Sequence, residues 1–477
     1  MADPLRVART AGLWRPGRWW RLARAGRRYG PTLAAAIAAG PRAGVALVDE
    51  YGPVTRADLA RLVADCSPAV RPGDRVAVAC SAHRGFVATV AAVTSAGADA
   101  VLVAPDTPRD RLAEILRRER VTLAIHDEGL GARFAGLVPA RAWSARIDAP
   151  ARRRRKPGRL VVLTSGSTGT PRAVTRRLRL RTLLGPVTTH LRLIPIRPGE
   201  PIAVAAPPHH GYGLVYLAAG LTLGAPVVLL AGRDAKEILA AVGEHQATVL
   251  CALPVQLRRM AKLDPPPLPS LRAVVSGAAP LPASLVDRLR EAFGDRVFNL
   301  YGTTEAGWAA IATPADLRAA PGTVGRAPRG VRLLVLDPAG TPVPPGELGE
   351  VHVEGWQPGR VATGDRGYLD PVGRLFLAGR IDDMIVSGGE NVFPAPVAAA
   401  LTAHPDVEDA VLVPVPDEEF GQRLRACVQV RAGSALTEPE LREWLRGRLS
   451  RAEQPRDIEL VAELPRTATG KPDTSEV

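Results

Sequence analysis

The chain has 477 residues, 46% of them hydrophobic, with four cysteines and a formal net charge of +14. That is enough apolar material for a large core and more than one domain, and it excludes a disordered chain or a small disulfide-stapled scaffold. The charge is a matter of arginine, since lysine occurs only at positions 156, 236, 262 and 471, and an aromatic content of 4% does not suit a nucleic-acid binder that stacks bases.

Residues 14–28 interleave Trp and Arg ahead of the apolar run Leu33-Ala34-Ala35-Ala36-Ile37. Two readings stay open, a segment that touches an anionic membrane surface and a helix packed on the domain. A signal peptide is disfavoured, because the basic region is too long and the apolar run too short. Cys66, Cys80, Cys251 and Cys427 lie far apart with no His or Cys at ligand spacing, which fits reduced thiols in the cytoplasm.

From about residue 70 strand-like and helix-like pieces alternate: Arg75 to Cys80, then Phe86 to Ala96, then Ala100 to Val103. The cluster Arg152 to Lys156 reads as a solvated turn. Leu160 to Leu163 reads as a buried strand opening into Thr164-Ser165-Gly166-Ser167-Thr168-Gly169-Thr170-Pro171-Arg172. Backbone N–H groups, hydroxyls and a closing guanidinium are what wraps phosphate oxygens, although no Gly-Lys-Ser/Thr of the Walker pattern is present. A flexible Ser/Gly linker seldom follows a buried strand directly or ends in Pro-Arg. Gly213 to Ala231 is uncharged but carries Gly220, Gly224 and Pro226, so it reads as a buried helix and a strand and not as a membrane span. The β-α-β rhythm returns through Thr248 to Cys251, Pro254 to Lys262, Leu271 to Val275, Pro282 to Phe293 and Arg296 to Leu300. From Gly322 short strands between Gly and Pro suggest an antiparallel or barrel-like piece, followed after Asp383 by a smaller α/β unit.

Four more clusters carry chemistry: Pro207 to Gly213 with paired His209 and His210; Asn299-Leu300-Tyr301-Gly302-Thr303-Thr304-Glu305; Thr363-Gly364-Asp365 followed by Gly379 to Asp383 and Ser387 to Val392; and Pro465 to Lys471. With the phosphate loop they resemble, in order and rough spacing over residues 45–472, the adenylate-forming superfamily of acyl- and aryl-CoA synthetases, carrier-protein adenylation domains and luciferases. The resemblance implies an α/β fold. A large N-terminal domain of layered sheets flanked by helices (45–379), with a barrel-like subdomain, would join through a hinge (380–383) to a small mobile α+β lid (384–477). The basic N-terminal segment is 1–44.

It also implies roles. Thr164, Ser165, Gly166, Ser167, Thr168, Gly169 and Arg172 would hold the β- and γ-phosphates of ATP, with Arg where the family usually has Lys. Ser276, Gly277, Ala278 and Ala279 would lie along the purine, and Tyr301 would stack on it beside Gly302 and Thr303. Thr304 would bind the α-phosphate and Glu305 the Mg²⁺. Asp365 would accept from the ribose hydroxyls, with Arg380 beside it. His210 would stand at the entrance for carboxylate and thiol. Asp382 would be the pivot, and Ser387, Gly388 and Gly389 would line the path of the CoA thiol. Lys471, retained in an arginine-rich chain, would bridge substrate carboxylate and α-phosphate as a compact ammonium. Each has an ordinary alternative, such as a turn for Asp365 or a packed histidine for His210, and the family's acidic residues after Asn391 are missing here.

The expected activity is activation of a carboxylic acid by ATP and Mg²⁺ to an acyl-adenylate, then transfer to CoA with release of AMP and pyrophosphate. No carboxylate near His210 offers to hold an α-amine. The apolar, small-residue helix with Gly213, Leu214, Tyr216 and Leu217 is read as room for a medium- or long-chain fatty acid. An aryl or polyketide acid, an acyl-AMP ligase that loads a carrier protein, and a non-catalytic adenylate-binding or membrane-associated protein remain alternatives. Specific nucleic-acid binding is not expected.

Overall fold

The computed structural model describes residues 16–66, 70–144, 156–164, 172–175, 180–303, 306–356, 359–387, 390–417 and 421–464, with only the backbone at some positions. The chain divides into two compact units, residues 1–179 with 187–275 and residues 180–186 with 276–477.

The first unit contains two sheets. One runs in the order Ala140–Ala142, Leu123–His126, Arg75–Ala79, Asp99–Leu102, Leu160–Thr164, Arg172–Thr175, parallel except for its last pair. The other carries Val249–Ala252, Ile202–Val204, Val227–Leu229 and Val45–Asp49 in parallel, with Gly52–Thr55 folded back as an antiparallel edge. Strands such as Val249–Ala252 are buried at every residue, as continuous apolar runs should be when both faces of a parallel sheet are covered. The uncharged stretch resolves into helix Gly211–Leu223, ended by the left-handed Gly224 (φ +65°), and strand Val227–Leu229. No described helix is long and apolar enough to cross a membrane. The N-terminal region forms helix Pro16–Tyr29 packed on helix Leu33–Ala39 through Ala25, Ala35 and Ala39. All four cysteines are buried and free.

Arg56 is 2% exposed and ties this unit together. Its guanidinium donates to the carbonyls of Ala36 (3.0 Å) and Ile37 (3.4 Å) and to that of Leu221 (3.0 Å), the C-terminal turns of two helices. A buried cation is tolerated there because those carbonyls, at the C-terminal turns, are the negative ends of helix dipoles and have acceptor capacity to spare.

The second unit holds the hairpin Val297–Thr303 and Gly307–Ala312, and an antiparallel sheet ordered Thr323–Gly325, Leu375–Arg380, Arg360–Leu369, Gly349–Glu354, Arg332–Leu336. Strand Gly349–Glu354 alternates buried and half-buried residues, the period-2 signature of a one-sided sheet. A third sheet runs Glu390–Val392, Ile385–Ser387, Gly421–Val430, Val407–Asp417, with Asp457–Val461 parallel to Gly421–Val430. With helices Pro394–Thr402 and Glu438–Arg446 it closes a core of its own, including Ile385, Val397, Leu401, Val428, Leu441 and Ile458. The division by compactness therefore falls at Val275, whereas the division read from the sequence, at 380–383, falls inside the second unit, where this separate core begins.

Candidate active site

The residues singled out in the sequence fall on both compact units. In the first, strands Leu160–Thr164 and Arg172–Thr175 pair antiparallel with Thr164 opposite Arg172, so the phosphate-loop segment connects two strands of one hairpin. Ser165, Gly166, Ser167, Thr168 and Gly169, and the side chains of Thr164 and Arg172, lie outside what the structure describes.

His210 occupies the N-cap position of helix Gly211–Leu223, and its ring lies 4.5 Å from that of His209. Burial, with a smaller contribution from the charge of His210, pulls His209 down to about 3, so His209 is neutral at physiological pH. Along the helix, Tyr212 donates its hydroxyl to the Val275 carbonyl at 2.7 Å, and its ring meets Tyr216 edge-on at 5.6 Å. The Tyr216 hydroxyl is 3.1 Å from Nε2 of His190, whose burial pulls it down to about 4.

The same helix bears on the acyl pocket expected from the sequence. Gly213, Leu214, Tyr216 and Leu217 are all buried, Tyr216 and Leu217 completely. A Cβ on Gly213 would stand 2.5 Å from the backbone oxygens of Ala206 and Pro207, and one on Gly220 would stand 2.5 Å from Cγ2 of Val227. At Gly213 and Gly220 the missing Cβ lets the helix approach its neighbouring backbone and strand.

In the second unit the structure brings together Tyr301, Asp365 and Arg380. Asp365 and Arg380 are direct cross-strand partners on Arg360–Leu369 and Leu375–Arg380. The Tyr301 hydroxyl donates to Oδ2 of Asp365 at 2.5 Å, and Nη1 of Arg380 lies 3.6 Å from its Oδ1 and donates to the Thr363 carbonyl at 3.2 Å. Asp365 is 8% exposed. Burial raises its carboxyl above the ordinary range, against the lowering by the Tyr301 hydrogen bond and the Arg380 charge. Burial first, then the Asp365 charge, pushes the Tyr301 phenol well up, so it remains a donor at any working pH.

The turn after Tyr301 is shaped by close approaches. A Cβ on Gly302 would lie 2.2 Å from the Gly307 carbonyl oxygen. Gly307 has φ +81° and backs onto the Trp356 ring, where a Cβ would come within 2.9 Å. Trp356 donates from Nε1 to the Trp308 carbonyl at 2.7 Å and meets the Trp308 ring edge-on at 5.4 Å. Thr303 accepts from the Ala306 amide at 2.9 Å, while Thr304 and Glu305 lie outside the described residues.

Ser276 and Gly277 close strand Ala273–Gly277, and Ala278 follows at φ +66°, a left-handed conformation that L residues rarely adopt. Ser276 is fully buried, and its Oγ has no hydrogen-bond partner among the described residues. At the proposed pivot, Asp382 is exposed and lies 3.4 Å from Nη2 of Arg380, while Gly379 has φ +140°. Beyond it Arg366 sits over the Phe393 ring at 5.5 Å. Ser387 is 2% exposed with Oγ likewise unpartnered among the described residues. Gly388, Gly389 and Lys471 lie outside them. Among the described residues no cluster of three or more His, Cys, Asp or Glu could hold a metal ion.

The family model for the AMP-binding enzyme matches residues 33–361, and that for the AMP-binding enzyme C-terminal domain matches residues 397–471. The chain belongs to the AMP-binding enzyme family. An adenylate-forming, AMP-forming acid–thiol ligase that uses ATP is thus what the sequence reading and the family have in common. Among curated relatives of this AMP-binding enzyme, a feruloyl-CoA synthase of an Amycolatopsis species is 31% identical over 88% of this chain and 92% of its own. A probable CoA ligase of Humulus lupulus is 32% identical over 65% of this chain and 64% of its own. Among solved structures, the amide bond synthetase McbA of Marinactinospora thermotolerans superposes with a TM-score of 0.83 at 28% identity, over 96% of this chain and 99% of its own. The o-succinylbenzoate CoA synthetase of Bacillus subtilis, at TM-score 0.79 and 24% identity over 90% and 94% of the two chains, shares the fold.

The interactions of His209, Tyr212, His190, Trp308 and Trp356 were not legible in the sequence. For Trp356 a signal existed: a Trp after Glu354-Gly355 in a chain with only seven of them.

Proposed function

We propose that this AMP-binding enzyme activates an aromatic or arylpropenoic carboxylic acid with ATP and transfers the acyl group to CoA. The observation that carries the reading is the Tyr301–Asp365–Arg380 constellation, a buried carboxylate held by one phenol and one guanidinium at the motif positions of the family. Asp365 keeps acceptor capacity for two vicinal hydroxyls, which suits a ribose, and the Tyr301 ring beside it suits a purine face.

The preference for an aromatic acid departs from the alkyl chain expected from sequence. Two things support it: similarity to a feruloyl-CoA synthase over nearly the full length of both chains, and the use of Gly213 and Gly220 for close packing.

Thr164 to Arg172 would hold the β- and γ-phosphates, Thr304 the α-phosphate, and Glu305 the Mg²⁺, which needs few protein carboxylates when phosphates supply its other oxygens. Mg²⁺ would supply charge neutralisation at the phosphates. Lys471 would orient the acid carboxylate toward the α-phosphate. Ser387, Gly388 and Gly389 would serve the thiol in the second step, and His210 the entrance shared by acid and thiol. The organisation proposed is a basic segment 1–44, a nucleotide domain 45–379, a hinge 380–383 with Asp382, and a lid 384–477.

The test is an acid panel of cinnamates, benzoates and fatty acids with ATP and Mg²⁺, with and without CoA, read as pyrophosphate and thioester. Pyrophosphate and thioester with aromatic acids is the expected result. Preference for fatty acids would overturn the substrate class. Pyrophosphate without thioester would transfer the acceptor role to a carrier protein, and no pyrophosphate with any acid would sink the reading.

A further inference from the structure

Helix Pro16–Tyr29 has two faces. One is used: Ala25, with Leu22 and Tyr29 beside it, packs on Ala35 and Ala39, and Arg21 donates from Nε to the Ala39 carbonyl at 3.0 Å. The other is not used by any described part of the chain. Trp20, Arg24, Arg27 and Arg28, at spacings of four, seven and eight residues, share one side of a 3.6-residue helix, and all four are exposed. Trp20 is 62% exposed, the largest such value among the large hydrophobic residues described, and the Arg24 guanidinium lies over its ring at 5.4 Å. Nine arginines and no Asp or Glu occur between Asp3 and Asp49, so the field around this face is uncompensated along the chain.

We propose that this face docks the protein on the surface of an anionic lipid bilayer. The chemistry is complementary in two respects. A row of guanidiniums meets the phosphates of an acidic leaflet, and an amphipathic indole beside it seats at the headgroup level. The packed seam fixes the helix against Leu33–Ala39, so the exposed row of Trp20, Arg24, Arg27 and Arg28 is held on its outer side. A single-strand nucleic-acid site would instead need a groove and successive rings, and this face offers one ring. The docking is peripheral, since no described helix can span. It does not depend on which acid the enzyme activates.

The experiment uses the full chain and vesicles of neutral phosphatidylcholine, with or without phosphatidylglycerol, in a sedimentation assay at low and raised salt. Binding to the acidic vesicles alone, weakening with salt, is expected. Combined Arg24→Glu, Arg27→Glu and Arg28→Glu should raise the half-saturating lipid concentration at least about tenfold. Trp20→Ser should remove the fluorescence blue shift on vesicle addition and weaken binding less. Both variants should keep wild-type circular dichroism and vesicle-free pyrophosphate release, which separates failure of this proposal from failure of the fold or of the ligase reading. Equal binding to both vesicle types, or unchanged binding of the triple variant, overturns the proposal. So does duplex DNA that competes fully while Trp20→Ser has no effect, the mark of general polyanion attraction.

Discussion

Tyr301→Phe isolates one hydrogen bond. The ring that would stack on a purine stays, and only the 2.5 Å donation to Oδ2 of Asp365 is lost. A bond to a charged acceptor contributes about 1.5–3 kcal/mol, and 1.36 kcal/mol corresponds to one pKa unit. The Asp365 carboxyl, already raised by burial, should therefore rise further, with Arg380 limiting the change. The sign for stability follows. The native state keeps the Asp365 proton to higher pH than the unfolded chain, so its contribution is full below the ordinary carboxylate pKa. It is lost as pH rises through the raised native value, and the variant extends that window upward. For ligand binding the ionised form is the better acceptor, so the acid limb of the AMP-affinity profile should move to higher pH. At pH 7.5 the loss of orientation should weaken AMP about three- to tenfold. Calorimetric titration of AMP across pH reads both. An unchanged acid limb and unchanged affinity, in a variant whose melting temperature shows it folded, would refute the coupling of Tyr301 to Asp365.

Four other outcomes are expected, three from the geometry and one from the motif at Lys471. Gly213→Ala should cost about 2–3 kcal/mol in urea unfolding, because its Cβ meets backbone oxygens that cannot move aside; a fully stable variant with altered acid preference would mean that Gly213 lines open space after all. Arg56→Met should cost about 3 kcal/mol, measured by thermal unfolding, since it strips donors from the carbonyls of Ala36, Ile37 and Leu221. Trp356→Phe should lower stability by about 1 kcal/mol through loss of the bond to the Trp308 carbonyl, and it should raise the KM for ATP if Thr304 and Glu305, between Thr303 and Ala306, rely on that prop. Lys471→Ala should abolish pyrophosphate release while leaving thioester formation from supplied acyl-adenylate largely intact; equal loss of both steps would refute a division of labour between the two half-reactions.

What the sequence carried and what it hid differ by range of interaction. Local signals were legible: the strand at Arg75–Ala79, the helix at Arg84–Ser95, the stop at Gly224, and the change to short antiparallel strands after Gly322. The motif residues were legible as a set, because their chemistry is unusual wherever it occurs. The contact among Tyr301, Asp365 and Arg380 was legible only in part: the resemblance set Arg380 beside Asp365, but not the Tyr301 hydroxyl on its carboxylate. The contact needs the register that sets Asp365 opposite Arg380 and a phenol from 64 residues upstream, and register is decided by a whole sheet. Space is hidden in the sequence for a related reason. A glycine in an apolar helix has the same letter whether it faces a cavity or presses on a carbonyl, and only the position of Ala206 and Pro207 decides between them. The apolar helix thus says little about substrate length. The aromatic pair Tyr212–Tyr216, anchored at Val275 and His190, is the feature of that helix against which substrate preference should be tested, because substitutions there alter shape without touching the backbone contact at Gly213.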